Sequence, residues 1–582
     1  MAMFKTYRTC VRAAGRSGAA LCGAALVTLA AGSAQAQPFS DASRSLAKYT
    51  TADTAPRVTC ESLSGFKRTG LVQVQARTIA ASADDPAHCR VSGVIAPEIA
   101  FEVNLPAMWN GRFYMIGNGG HAGEGPDDAG RANQRSTALR NGFAIASTNT
   151  GHDSRKEPQA TFVMSNPQKA IDYAFRAVHE TAAIAKRITG TYYAKPPSFS
   201  YWNSCSNGGR QGLIEAQRYA DDFDGIVANA PWVDQTGFTI GAMWNQRALD
   251  EAPLSAAKLA LVAATVMGKC DALDGLRDGL IDDPRACTFD PARDVPACSQ
   301  GQDGSDCLTA PQAATLKKIY GGVVSQGRPF FPGFMPGSEA LAASPAGPGA
   351  SGWTNLIVAA QPGRAAADFS LAESTMKYLV FDPPQPQYDY RTFDFDRDTG
   401  LLARWGTLAN ASNPDLSAFR KRGGKLLMTY GWADAILQPL MGVDYYERAL
   451  QANGPATPEF LRLFMIPGMA HCSGGVGPDQ HDAVTAVIDW VETGKAPDTM
   501  IASKVVNNQV VRTRPPGVPG SASTRTRRGG RGSGTGSTGC SPAGSTTLAP
   551  RPPPAVRRPA AWSSMPATSS ARCARTASRP PA

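Results

Sequence analysis

Read as hydrophobic and polar positions, the chain alternates short apolar runs with longer amphipathic ones. Runs at 91–95, 99–105, 113–116 and 143–148 have the length of strands; the first two suit an antiparallel pair and the third a buried strand. Residues 170–187 space their apolar side chains three to four apart, which predicts an amphipathic helix. An aromatic-rich strand at 197–202 runs through a small-residue turn into a helix from 212. A strand that ends in a loop recurs at 425–430 and 459–466, and 482–492 reads as an amphipathic helix that closes the core. Between 231 and 425 this rhythm is lost over a stretch far too long for a simple loop, so a second domain is inserted there. Past Arg514, Gly, Pro, Ser, Thr, Ala and Arg dominate without periodicity, which predicts a low-complexity disordered tail.

The turn between the strand at 197–202 and its helix holds the candidate chemistry. Trp202-Asn203-Ser204-Cys205-Ser206-Asn207-Gly208-Gly209 has the layout of a nucleophile elbow, a strained strand-to-helix turn that exposes one serine hydroxyl above a sheet. Ser204 stands where the usual spelling has glycine. By itself the match fits an ordinary strand-turn-helix equally well. Two later loops change that balance. Asp434 follows the strand at 425–430, and His471 follows the strand at 459–466. Ser206, Asp434, His471 is the chain order of the α/β-hydrolase triad. Of the six histidines only His471 and His481 come after Asp434, and His481 sits in a polar stretch leading into a helix. The expected fold is therefore α/β: an α/β-hydrolase core with a large inserted lid.

The loop Gly117-Asn118-Gly119-Gly120-His121 follows the strand at 113–116. It lacks the Lys-Ser/Thr of a phosphate-binding loop and takes the place of an oxyanion loop. An N–H of Gly119 or Gly120, with that of Asn207, is the expected oxyanion hole. His121 reads either as a substrate contact or as an ordinary loop histidine.

Charge and cysteine content refine the setting. The chain carries 58 Lys+Arg against 48 Asp+Glu, a net charge of +10. Ten of those arginines lie from residue 516 onward and four basic residues lie in the first 36, with no acid in either segment, so the rest is close to neutral. No basic face with interleaved aromatics argues for nucleic acid. Residues 1–36 combine a basic start, an apolar run over 19–31 and Ala34-Gln35-Ala36, the pattern of a cleaved export signal. No later run is long enough for a transmembrane helix. The expected location is secreted or periplasmic, where the ten cysteines beyond Cys10 and Cys22 can pair. Zinc is the competing reading, but the chain has no C-x-x-C or Cys/His cluster. The expected organisation is a signal over 1–36, core over 37–235, lid over 236–405, core over 406–512 and tail over 513–582.

Cys205-Ser206 and His471-Cys472 resemble the hallmark of the tannase and feruloyl esterase family, in which a cysteine before the nucleophile bonds one after the catalytic histidine. The resemblance runs from about residue 55 to about 512 and includes Asp222-Phe223-Asp224-Gly225 and Asp434-Ala435-Ile436-Leu437-Gln438-Pro439. With local spacing it implies the pairs Cys60–Cys89, Cys205–Cys472, Cys270–Cys287 and Cys298–Cys307; Cys540 and Cys573 are left unassigned. In the lid, Asp271, Asp274 and Asp278 with Gly275 and Gly279 supply hard oxygens on a turning backbone, which suits Ca²⁺. The family's calcium loop implies those three carboxylates and the carbonyls of Leu276 and Leu280 as ligands, in a structural role. The bland alternative is a pair of surface Asp-Gly turns.

The resemblance implies a secreted serine esterase acting through an acyl-enzyme on small esters of aromatic acids, feruloyl, galloyl or related. Trp353, Tyr378 and Trp432 are candidate substrate contacts, each equally readable as packing. Calcium is the expected cofactor, with no organic cofactor, no nucleic-acid partner and no membrane partner. Alternatives are a terephthalate monoester hydrolase, a lipase or peptidase, and a polyphenol-binding protein without activity. The sequence leaves the oligomeric state open.

Overall fold

The computed structural model describes residues 37–83, 85–340, 352–361, 363–515 and 517. The expected export signal, most of the small-residue linker near 342–352, and Cys10, Cys22, Cys540 and Cys573 lie outside the described residues.

Thirteen strands are described: β1 (Leu71–Ile79), β2 (His88–Ile95), β3 (Ile99–Pro106), β4 (Arg112–Ile116), β5 (Ala144–Thr148), β6 (Phe199–Cys205), β7 (Gly225–Asn229), β8 (Val323–Ser325), β9 (Arg328–Phe331), β10 (Lys425–Gly431), β11 (Leu461–Ile466), β12 (Ala502–Val506) and β13 (Gln509–Arg514). Nine of them form one sheet in the order β1-β2-β3-β5-β4-β6-β7-β10-β11. The β1–β2, β2–β3 and β3–β5 pairs are antiparallel, and every pair from β5 to β11 is parallel. The parallel strands are covered on both faces, which is why β5 and β7 are buried at every position and read as unbroken apolar runs.

Alternate side chains divide the core into two layers. Tyr114, Tyr201, Val227, Leu427 and Phe464 pack with Val484, Val487 and Ile488 of the helix Ala483–Thr493. Their sequence neighbours Phe113, Trp202, Ile226, Leu426 and Leu463 face Ala182, Ile188, Leu213 and Ile214 on the opposite side. Those last residues belong to the helices Ala177–Tyr193 and Asn207–Arg218.

Among the described residues, no strand joins the sheet between Asn229 and Lys425. That interval holds the helices Gln235–Glu251, Ala256–Cys270, Ala310–Gly321 and Ala367–Thr375 and the β8–β9 hairpin. Side chains satisfy the first N–H groups of three of these helices: Asp234 on Gly237, Ser255 on Lys258, and a reciprocal Thr309–Gln312 box. Leu259, Val262, Leu316, Ile319, Phe334 and Trp353 form a core proper to this interval.

Two expectations need correction. The helix expected over 170–187 is longer and interrupted: Gln168–Ile171 passes through a π-turn at Asp172–Arg176 into Ala177–Tyr193. The polar tail does not begin at 513, because β13 runs to Arg514 and Gly517 exchanges hydrogen bonds with Met465 of β11 (2.8 and 2.9 Å). Pairing decides this end: each β13 backbone group that bonds β12 offsets the unfavourable turn and polar composition.

The C-terminal hairpin also touches the lid, since Arg512 Nη2 donates to the Asp278 carbonyl (2.5 Å) and Arg514 pairs with the Asp278 carboxylate. A chain ended after residue 517 keeps these contacts, whereas one ended after Val511 loses both arginines. Thermal denaturation of the two is expected to give a lower Tm for the shorter chain, which loses charge-assisted bonding worth about 2–3 kcal/mol of stability. Equal melting temperatures would show that the hairpin adds nothing to stability.

Candidate active site

The carboxyl ends of the parallel strands carry the candidate catalytic and oxyanion groups: the Gly117 loop after β4, Ser206 and Asn207 after β6, Asp434 after β10 and His471 after β11. In an open parallel sheet this edge is where binding sites form.

Ser206 is the turn between β6 and the helix Asn207–Arg218, at φ 63° and ψ −124°. A non-glycine residue at positive φ is costly and persists only where its surroundings over-determine it. Here they do. The Ser206 N–H donates to the Asn229 carbonyl (3.0 Å), and its own carbonyl accepts the N–H groups of Arg210 and Trp232 (both 3.0 Å). A Cβ on Gly208 would stand 1.9 Å from Ser204 Oγ, and one on Gly209 2.7 Å from the Asn229 carbonyl, so the helix must start on glycines. Ser204 in place of the usual glycine is thus accommodated by Gly208.

Asp434 is fully buried and His471 partly exposed, with His471 Nδ1 2.7 Å from Asp434 Oδ2. The other carboxylate oxygen, Oδ1, accepts the N–H groups of Ile436 and Leu437 (both 2.9 Å), which fixes its orientation. His481, the rival histidine, is buried with no partner on either ring nitrogen among the described residues. Burial drives its pKa down to about 4. It is an uncharged core residue.

Cys205 and Cys472 are bonded, with Cα atoms 5.9 Å apart, and a ring nitrogen of His471 lies within 4.8 Å of both sulfurs. The bridge therefore joins the residue before Ser206 to the residue after His471. The other three pairs, Cys60–Cys89, Cys270–Cys287 and Cys298–Cys307, are also bonded.

Of the two loop glycines, Gly119 donates its N–H to both oxygens of Glu124 (3.2 Å each). That N–H is engaged, so Gly120, at φ 44°, is the glycine left to pair with Asn207. The loop is pressed on the elbow helix: Asn118 N–H donates to Gln211 Oε1 (3.1 Å), and a Cβ on Gly117 would stand 2.5 Å from the Trp202 ring. His121 is buried with Nε2 2.9 Å from Thr375 Oγ1, tying the loop to the lid helix Ala367–Thr375; burial drives its pKa down to about 3. It is a structural tie and not an open substrate contact.

The aromatic candidates separate. Trp353 is 0 % exposed, bonds Ser338 Oγ through its indole N–H (2.9 Å) and packs on Tyr320 and Phe334, so it belongs to the lid core. Tyr378 is half-buried beside Phe162, Tyr173 and Trp405. Trp432 lies two residues before Asp434 with the Arg285 guanidinium 5.1 Å from its ring.

In the lid, Asp271 Oδ1 accepts the N–H groups of Asp278, Gly279 and Leu280 (3.2, 3.0 and 3.1 Å), which closes the Asp271–Leu280 loop on itself. Asp274 Oδ2, Asp278 Oδ1 and Asp282 Oδ1 are buried without a hydrogen-bond donor among the described residues. Burial and then the Asp274 charge push the Asp282 carboxyl up to about 6. Arg514 pairs with the other Asp278 oxygen and lies 3.9 Å from Asp282 Oδ1; the carboxylate oxygens left without hydrogen-bond donors fit a hard divalent cation. Asp282 is an acid the sequence reading left out, and its distance from the Asp-Gly pattern explains why.

A further cluster joins Glu215 of the elbow helix and Asp222, both buried, to the partly exposed His179. His179 Nδ1 and Lys186 Nζ bond Asp222 (2.6 Å to the carboxylate and 2.7 Å to the carbonyl), while burial raises the Glu215 pKa well above its ordinary value.

Sheet order and site together are those of a carboxylic ester hydrolase of the α/β class. Comparison with known proteins sharpens the class. The family profile "Tannase and feruloyl esterase" matches residues 85–519, so the chain belongs to the tannase and feruloyl esterase family. It is 36 % identical over 486 residues to an uncharacterised esterase of Xanthomonas campestris pv. campestris, covering 74 % of this chain and 80 % of that one. It is 34 % identical over 478 residues to the mono(2-hydroxyethyl) terephthalate hydrolase of Piscinibacter sakaiensis, covering 73 % and 79 % of the two chains. Among solved structures, feruloyl esterase B of Aspergillus oryzae superposes with a TM-score of 0.67 at 28 % identity, covering 79 % of this chain and 95 % of that one.

The Cys205–Cys472 bridge closes a loop of 267 residues in sequence separation. In the chain-entropy account such a loop is worth about 5–6 kcal/mol. Its position beside Ser206 and His471 gives it a second effect, since a displacement near 1 Å costs on the order of 100-fold in rate. The double variant Cys205→Ala/Cys472→Ala is expected to lose kcat far more than it raises KM, measured well below its melting temperature. Parental kcat in the folded double variant would reduce the bridge to a stabilising crosslink.

Proposed function

We propose that the protein is an exported serine esterase that hydrolyses small esters of aromatic carboxylic acids. The observation that carries this reading is the Asp434–His471 pair joined by a disulfide to a positive-φ serine at the head of a helix. Ser206 Oγ attacks the ester carbonyl as His471 takes its proton, with Asp434 orienting the ring and compensating the imidazolium. The carbonyl oxygen becomes an alkoxide between the N–H groups of Gly120 and Asn207. The intermediate expels the alcohol, to which His471 returns the proton, leaving an acyl-serine. Water, deprotonated by His471, then releases the acid and restores Ser206. These steps need no organic cofactor.

Export is supported by the basic-apolar-Ala34-Gln35-Ala36 start and by four disulfides, which persist in oxidising compartments. No helix among the described residues is long and apolar enough to cross a membrane. The aromatic acyl preference is supported by the relatives, which include feruloyl esterase B of Aspergillus niger and the terephthalate monoester hydrolase. Half-buried Tyr378 and buried Trp432 are the side chains proposed to face the acyl ring.

Calcium is proposed to bind the lid loop through carboxylates of Asp271, Asp274 and Asp278 and carbonyls of Leu276 and Leu280. The donorless oxygens of Asp274, Asp278 and Asp282 support it. Bound there, the ion would crosslink a loop already stapled by Cys270–Cys287 and would take no part in the chemistry.

Methyl ferulate, a gallate ester or a terephthalate monoester is expected to be cleaved faster than a long-chain fatty ester in an initial-rate panel. Rates rising with acyl chain length would point to a lipase instead. Elemental analysis is expected to find one calcium per purified chain, and chelation to lower Tm before it changes KM. Folded, active protein without calcium would return the loop to a pair of surface turns.

A further inference from the structure

The residues just behind the oxyanion hole form a network that the triad does not require. Tyr173 sits in the π-turn Asp172–Arg176, which interrupts an otherwise regular helix. Such single π-turns commonly mark functional positions, because they turn out a side chain that an α-helix would keep in line. The Tyr173 oxygen is 3.0 Å from the Gly120 carbonyl and 3.1 Å from Asn207 Oδ1, and it accepts a bond from Gln235 Nε2 (2.7 Å). Its one proton serves one of the two acceptors at a time. One hydroxyl thus touches both residues whose N–H groups form the proposed hole.

Arg210, one turn along the elbow helix from Ser206, completes the network. Its Nε donates to the same Asn207 Oδ1 (2.6 Å). Its Nη atoms bond the carbonyls of Ala174, Ala409 and Tyr173 (2.8, 3.0 and 3.2 Å), and its guanidinium lies 4.9 Å from the Tyr173 ring centroid. The side chain is fully buried and has no carboxylate within ion-pair distance among the described residues. A buried cation without an anion costs several kcal/mol in desolvation, so a fold that sought only stability would place an apolar side chain there. The three carbonyls and the aromatic face hold the charge in place without neutralising it.

We propose that Tyr173 and Arg210 are positioning residues for the oxyanion hole. Tyr173 braces the Gly120 carbonyl, on the same Cα as the donor N–H, against Asn207, and Arg210 locks Asn207 at the start of the helix while leaving a net positive charge behind it. Gly120 has no side chain to hold it; the peptide that carries its N–H is held by the Ala122 N–H on the Gly119 carbonyl (2.7 Å), and Tyr173 fixes the other side of Gly120 through its carbonyl (3.0 Å). The unneutralised guanidinium adds to the positive end of the helix, and both favour the alkoxide over the neutral ester. An oxygen whose charge appears only in the transition state gains most from such preorganisation, so the effect belongs in kcat and not in KM.

This proposal rests on the serine-esterase reading, and the test separates the two. Wild-type protein, Tyr173→Phe and Arg210→Lys are titrated with a fluorophosphonate, so that rates are expressed per reactive serine. Each is then measured for kcat and KM on methyl ferulate and for inhibition by an arylboronic acid, whose tetrahedral adduct places an oxygen in the hole. Tyr173→Phe, which removes one oxygen, is expected to lower kcat by about 10-fold or more with KM nearly unchanged, and to weaken boronate binding by a similar factor. Its Tm should move by only a few degrees. Arg210→Lys keeps the charge and loses the fork, and is expected to fall between the two. Should Arg210→Lys fail to fold, Tyr173→Phe decides alone. A wild type that takes no fluorophosphonate and cleaves no ester would remove the esterase reading and this proposal with it. A labelled, active wild type beside a Tyr173→Phe protein with unchanged kcat per site, or with lower kcat but unchanged boronate affinity, would overturn the proposal alone.

Discussion

The backbone of Ser206 is the constraint on which the rest depends. A left-handed φ on a residue with a Cβ is affordable only because the peptide is held from both sides: Asn229 on its N–H, Arg210 and Trp232 on its carbonyl. Each holder brings structure with it. Asn229 ends β7, Trp232 opens the connection into the lid, and Arg210 carries the buried charge behind the proposed oxyanion donors. Gly208 and Gly209 are required by the same approach of helix to strand. The disulfide between Cys205 and Cys472 then ties the histidine loop to this turn, so the triad is organised around one strained residue and not around three independent loops.

Much of this was legible in the sequence, for reasons that differ by element. Parallel strands buried on both faces leave unbroken apolar runs, so β4, β5, β10 and β11 could be read directly. Chain order and elimination among six histidines singled out His471, and its bond to Asp434 agrees with that choice. The helix Ala129–Arg140 was not legible, because its polar composition gives it no apolar stripe to detect. The hairpin at Gln509–Arg514 was hidden by its setting beside a Pro- and Gly-rich segment, and only pairing with β12 reveals it.

Site residues divide in the same way. Groups that react sit in motifs, and motifs show in sequence. Groups that position them do not. Tyr173 lies in what reads as plain helix, and the π-turn that aims it leaves no compositional trace. Arg210 looks like one more basic residue in a helix, yet its burial among carbonyls makes it unusual. Trp353 shows the converse error, an aromatic chosen by location that packs inside the lid. Aromatic residues serve cores and pockets through the same chemistry, and what they pack against tells the two apart.

The central claim is that Ser206, held in this turn, is the nucleophile. Intact protein treated with a p-nitrophenyl phosphonate, digested and mapped by mass spectrometry tests it most directly. The account predicts a single phosphonyl adduct on Ser206, formed in step with loss of esterase activity and blocked by a competing aromatic ester. An adduct on another residue that tracks the loss of activity, or full activity with Ser206 modified, would contradict it.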